Sequence, residues 1–276
     1  MSRLALDLAR GLDPVELARA IGMEPDLWQA DVLRSDHPRI LLNCCRQAGK
    51  SVTVAVKACH TAIYEPNSLV LLLSPSQRQS GELFRKVLTT YKALGRPVAS
   101  EAESALTIQL ENGSRIVSLP GTEATVRSYS AVRLLLVDEA SRVDDETIAA
   151  VRPMLAVSGG QLVALSTPAG RRGWWYSAWE DGGSAYERYR VPASEVSRIS
   201  AEFLTAERAA LGEWAYMSEY ECAFESNTAA VFTPALFPAF PWPAFVLDLG
   251  AAAFPPAALA PGFTAAPPDT SGECCA

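Results

Sequence analysis

The 276-residue sequence has no apolar run of the roughly 18 to 20 residues that a membrane span needs. Its first twenty positions carry Asp7, Asp13 and Glu16 where a secretory leader would be uncharged, so a cytosolic location is expected. Histidine is scarce, with only His37 and His60, and the six cysteines at 44, 45, 59, 222, 274 and 275 show no C-x-x-C spacing. That pattern excludes a clustered zinc site and fits free thiols in a reducing compartment. Positive charge is also short: 24 Lys and Arg against 31 Asp and Glu give a net charge of -7. Such a balance excludes coating of nucleic acid by bulk charge, although a local basic surface can still grip it. Internal repeats are absent.

With 49% hydrophobic residues, the chain is long enough to bury one sizeable α/β core and a small accessory segment. Residues 14–35 fit two short helices, the second opening near Pro25-Asp26. "RILLNC" (39–44), "SLVLLLSPS" (68–76), "RLLLVDEAS" (133–141) and "QLVALSTPAG" (161–170) contain continuous apolar runs that suit buried strands. Helical patterns follow the first two of these, from Lys50 and over 77–95, and this alternation predicts a parallel sheet with helices on both faces. "ALTIQLENGSRIVSL" (105–119) alternates about Asn112-Gly113, a hairpin signal. The pattern is helical again from about residue 192. From Thr233 the tail is rich in Pro, Ala and Phe and is expected to be poorly ordered.

The strand ends gather the polar residues. Gly49-Lys50-Ser51 joins a strand to a helix, the context in which backbone amides, a lysine and a metal-binding hydroxyl hold phosphates at a helix N-terminus. Cys44 stands where such a loop has its first glycine. Cys44 and Cys45 are small residues expected to let the chain turn tightly. Asp138 and Glu139 end an apolar strand, and phosphoryl transfer needs one carboxylate in the metal shell and another to activate water. In open parallel sheets, ligands bind beyond the carboxyl ends of the strands, where these groups fall together with Ser74 and Ser166-Thr167-Pro168.

"WQADVL", "CCRQAGKS", "SPSQRQS", "GTEATVRSYS", "LLLVDEAS" and "LSTPAGRRGWWYSAW" occur in order and spacing that resemble the ATPase domain of the large terminase subunit of tailed bacteriophages, over about residues 10–232. The resemblance implies a P-loop NTPase of the RecA/ASCE type, α/β with a mostly parallel sheet flanked by helices. It implies ATP and Mg²⁺ as cofactors and a motor that pumps double-stranded DNA into a procapsid. Portal protein, small terminase subunit and further copies in a ring are the implied partners, in the bacterial host cytoplasm and away from membranes. By the same resemblance Gln29 reads adenine with Trp28 and Leu33 as packing neighbours. Arg46, Gln47, Ala48, Gly49, Lys50, Ser51 and Val52 surround the phosphates, and Ser51 and Asp138 hold the metal. Glu139 is the implied catalytic base, Arg46 a γ-phosphate contact, and Arg127 an arginine finger for a neighbouring subunit. Ser166 and Thr167 fall in the coupling motif, where a strand-ending turn would also suit Thr-Pro. Trp175 and Trp179 are expected in the core.

The implied domains are an ATPase over 1–192, whose first 36 residues are helical, a helical linker over 193–232, and a remnant over 233–276. After Phe232 the acids are Asp248, Asp269 and Glu273, too few for the two-metal nuclease that full-length terminases carry, so a truncated product without nuclease activity is expected. Two alternatives stay open: a helicase-like DNA-dependent ATPase, which needs a second RecA-like domain, and a nucleotide-binding remnant without turnover.

Overall fold

Continuous apolar runs become central strands because both of their faces are covered. In the computed structural model, which describes residues 2–120 and 129–225, eight strands form one sheet. They are β1 (Arg39–Cys44), β2 (Leu69–Ser74), β3 (Ser100–Glu103), β4 (Thr107–Leu110), β5 (Arg115–Pro120), β6 (Leu134–Asp138), β7 (Gln161–Ser166) and β8 (Glu187–Val191). Their order is β3-β4-β5-β2-β6-β7-β1-β8. β5, β2, β6, β7, β1 and β8 run parallel, while β4 pairs antiparallel with both β3 and β5. All the described residues lie in one compact unit, Met1–Asn227. Arg127 and the tail from Thr233 lie outside the described residues.

The helices are α1 (Arg3–Leu12), α2 (Pro14–Ala20), α3 (Leu27–Arg34), α4 (Lys50–Tyr64), α5 (Gln77–Ala93), α6 (Asp145–Val151), α7 (Gly173–Glu180), α8 (Ala201–Leu211) and α9 (Glu213–Glu219). The period of two sorts strand side chains between two cores. Ile40, Leu42, Val70, Leu72, Leu136 and Leu165 join Val54, Ala58 and Phe84 of α4 and α5. Leu41, Leu71, Leu73, Leu135, Val137 and Ala164 face Ile148 of α6 and Trp175 of α7. Trp179 packs against this second core, as its aromatic setting suggested. Among the described residues, no helix is long and apolar enough to cross a membrane.

Two local features differ from the sequence reading. Cys44 is still strand and Cys45 is held to Val191 O by its amide at 2.9 Å, so both thiols pack in the core. The tight turn falls later, where Gln47 and Gly49 take φ of 64° and 93°. β8, "ERYRV", was not visible as a strand because an edge strand is only half covered and carries charged residues. Its parallel pairing with β1 closes that side of the loop. The hairpin between β4 and β5 turns at Gly113, φ 81°, where a Cβ would lie 2.3 Å from Asn67 Oδ1.

Candidate active site

The loop between β1 and α4 is fixed from outside. Arg46 donates its amide to Glu219 O at 3.2 Å, and its Nε pairs with Glu219 Oε2 at 2.7 Å. The residue expected at the γ-phosphate is therefore tied to α9 here, with most of its side chain exposed. Gly49 takes the left-handed conformation just before Lys50, and a Cβ there would meet Gln29 Nε2 at 2.8 Å, so only glycine fits. At the start of α4 the amides of Lys50 and Ser51 precede the first intrahelical bonds, those of Val52 and Thr53 to Gly49 O at 3.1 Å, and with the helix dipole they favour an anion. Lys50 is buried, its ammonium reaching back to Cys45 O at 3.4 Å. Ser51 is half-buried in the same turn, and Val52 is 38% exposed. Burial pushes the Cys44 thiol up and the Cys45 thiol up to about 11, so neither supplies a thiolate to the loop.

Gln29 is buried, with Oε1 accepting from Asp26 N at 2.9 Å to complete the α3 capping box. Its amide nitrogen is the group against Gly49. Trp28 is half-buried on the first core and Leu33 is buried in it.

Asp138 ends β6. Burial, then the neighbouring Glu139 carboxylate, push its carboxyl up to about 6, with Lys50 pulling the other way. Glu139 takes a left-handed φ of 49°, rare for a residue with a Cβ, and its amide donates to Asp138 Oδ1 at 3.0 Å. Glu139 Oε2 lies 3.8 Å from Arg142 Nε. β7 stands between β6 and β1, so its tip lies between the carboxylates and the loop. There Ser166 Oγ donates to Ser141 Oγ at 2.7 Å and accepts from the Ser141 amide at 3.2 Å, joining β7 to the turn after Glu139. Thr167 is buried, and Pro168 O accepts from Ser218 Oγ of α9 at 3.1 Å.

The structure thus brings Gln29, residues 46–52, Asp138, Glu139, Ser166 and Thr167 to one edge of the sheet. Three further residues at this edge escaped the sequence reading: Ser141, Glu219 and Arg198. Arg198 binds Asp26 with both terminal nitrogens, at 3.0 and 2.9 Å, and donates to Ala48 O at 3.0 Å. It also lines an open pocket of about 710 Å³ beside the loop, with Arg46, Gln47, Ile199, Phe203 and Tyr220. No motif spacing marks an arginine 150 residues from its acceptor.

The Ser51 hydroxyl in the first turn of α4 and the Asp138 carboxylate at the end of β6 are hard oxygen donors of the kind magnesium takes. The raised Asp138 carboxyl fits them: a buried acid whose ionised form a cation would stabilise.

The sequence pattern of the family described as phage terminase large subunit matches residues 37–219. Among curated proteins, the chain is similar to the large terminase subunit of Thermus virus P23-45, 24% identical, covering 77% of this chain and 51% of that protein. The large terminase subunit of Thermus phage G20c is 23% identical with the same coverage, so the chain spans about half the length of these relatives. Among solved structures, the large terminase ATPase domain of Thermus phage P74-26 superposes with a TM-score of 0.67 at 18% identity, covering 75% of this chain and 97% of that one. The large terminase of another thermophilic bacteriophage, in complex with ADP, gives a TM-score of 0.59 at 13% identity, covering 72% and 54%. The fold is that of a P-loop NTPase, and the chain belongs to the phage terminase large subunit family.

Proposed function

We propose that this chain is an ATP-hydrolysing motor domain that drives double-stranded DNA into a procapsid in the host cytoplasm, working with a portal protein, a small terminase subunit and further copies of itself. The observation that supports this most is that Gly49-Lys50-Ser51 and Asp138-Glu139 follow the carboxyl ends of β1 and β6, strands separated only by β7, whose Ser166 is bonded to the turn after Glu139. In this reading Gln29 presents its amide to the base, and the amides of the loop and first turn of α4 take the phosphates. Lys50 leaves the Cys45 carbonyl for the β and γ phosphates. Ser51 and Asp138 would hold Mg²⁺, which when bound neutralises charge on the phosphate oxygens. Glu139 accepts a proton from the attacking water. Ser166 reports the state of the phosphate to the Ser141 turn, and Pro168 passes it to Ser218 of α9. Arg46 would exchange Glu219 for the γ-phosphate when ATP is bound. Arg127 is proposed as the finger for a neighbouring copy, and residues 193–232 as the linker that follows the ATPase domain.

The test is ATP hydrolysis by the purified protein, alone and with DNA and portal, beside Lys50→Ala and Glu139→Gln. Lys50→Ala is expected to lose nucleotide binding and turnover, and Glu139→Gln to bind ATP while turning over roughly 10²- to 10⁴-fold more slowly. Wild-type turnover no higher than that of the variants under every condition would sink the motor reading.

A further inference from the structure

The geometry points to Arg198 as a positioning residue that presets the phosphate loop by holding the Ala48–Gly49 peptide from behind, an inference that rests on the reading of this loop as a phosphate site. In a trans peptide the carbonyl and the following amide point in opposite directions. The guanidinium donates to Ala48 O at 3.0 Å, so the Gly49 amide on the other side of that peptide is turned away from Arg198. With Gly49 at φ 93° leading straight into Lys50, that amide joins the first-turn amides of α4 in one concave set.

The same guanidinium is itself locked. Its two terminal nitrogens take both Asp26 carboxylate oxygens, at 3.0 and 2.9 Å, a planar fork that fixes the plane of the group. Asp26 is the N-cap of α3, whose Gln29 amide nitrogen flanks Gly49 on the same face as the guanidinium: a Cβ there would lie 2.8 Å from Gln29 Nε2 and 3.7 Å from Arg198. The loop is thus bounded by Gln29 at Gly49 Cα, by Arg198 at Ala48 O and by Glu219 at the Arg46 amide. A loop held this way has less conformational freedom to lose when a phosphate arrives, which is how preorganisation raises affinity. Arg198 touches neither nucleotide phosphate nor water in this scheme; it acts through a carbonyl.

The test separates the loop from the base. Calorimetric titration with magnesium tripolyphosphate, which has phosphates and no base, is run beside ATP. Arg198→Ala is expected to weaken both ligands by the same factor, about tenfold, as for one lost charge-assisted hydrogen bond. Arg198→Lys, a point cation able to reach Ala48 O without the fork, should stay within about threefold of wild type for tripolyphosphate. Wild-type tripolyphosphate affinity in a folded Arg198→Ala overturns the inference, as does a loss confined to ATP, which would assign Arg198 to the base through α3. If Arg198→Ala has no cooperative melt, the decision passes to Arg198→Lys, where a tenfold loss overturns it. Wild type that binds neither ligand sinks the phosphate-site reading itself, and the inference with it.

Discussion

The two ends of the parallel strands are built on opposite plans. At the amino ends, around an opening of about 680 Å³, polar groups are closed on one another. Lys57 is buried, its amine lowered to about 8 by desolvation, and it donates to Val32 O, Leu33 O and Ser35 O at 3.0–3.2 Å. Gln161 reaches Ser35 O and His37 O, Arg34 pairs with Asp13, and Arg133 with Glu65. At the carboxyl ends the plan is reversed. Asn43 Oδ1 and Ser74 Oγ, at the tips of β1 and β2, are buried without a hydrogen-bond partner among the described residues, Asp138 resists ionisation, and Glu139 is held in a disfavoured φ. One end satisfies its polar groups to hold the helices in place; the other keeps unsatisfied and strained groups at its strand tips.

Breaking the closed end should cost the most stability. Lys57→Met removes the donor shared by three carbonyls at the end of α3 and is expected to lower unfolding free energy by about 2–4 kcal/mol in urea melts. The KM for ATP should stay unchanged; a stability loss under about 1 kcal/mol would show that solvent takes over from the amine.

At the open end the effect should depend on pH. Asp138 has its carboxyl raised to about 6 against 3.8, so its folded state binds the proton more tightly than the unfolded chain. Its charge therefore opposes folding above pH 6, and that penalty fades as pH falls towards 4. Asp138→Asn should melt higher than wild type at pH 7.5 in the absence of divalent cations, with the gap closing by pH 4. A gap independent of pH would count against a buried, ionised Asp138. Ser74→Ala gives the smallest change. Removing a buried hydroxyl with no partner should alter stability by no more than about 0.5 kcal/mol, or raise it slightly, in calorimetric scans.

How much of this was legible depended on whether a residue's partner lies close in sequence. β1, β2, β6 and β7 could be read because burial on both faces leaves an apolar run, and the loop because its chemistry is local to a strand–helix junction. β8 is half-exposed and charged, so no pattern announced it. Strand order likewise leaves no mark in any single run, and with it went the placing of β7 between the loop and the carboxylates. Arg198 and Glu219 were invisible for the same reason as each other: their acceptors and donors are brought close only by the turn of the chain back over the sheet.

That return path has a mechanical meaning. After β8 the chain crosses the carboxyl ends of the strands, and there Asn43 Nδ2 donates to Cys222 O at 3.0 Å, while Arg171, beyond β7, donates to Phe224 O at 2.7 Å. Tension entering at Glu225 therefore reaches β1 and the turn after β7 directly, before it strains α8 or α9. A pull applied at Glu225 is thus taken up by two bonds, one on β1 just before the loop and one just beyond β7, rather than by the helices between.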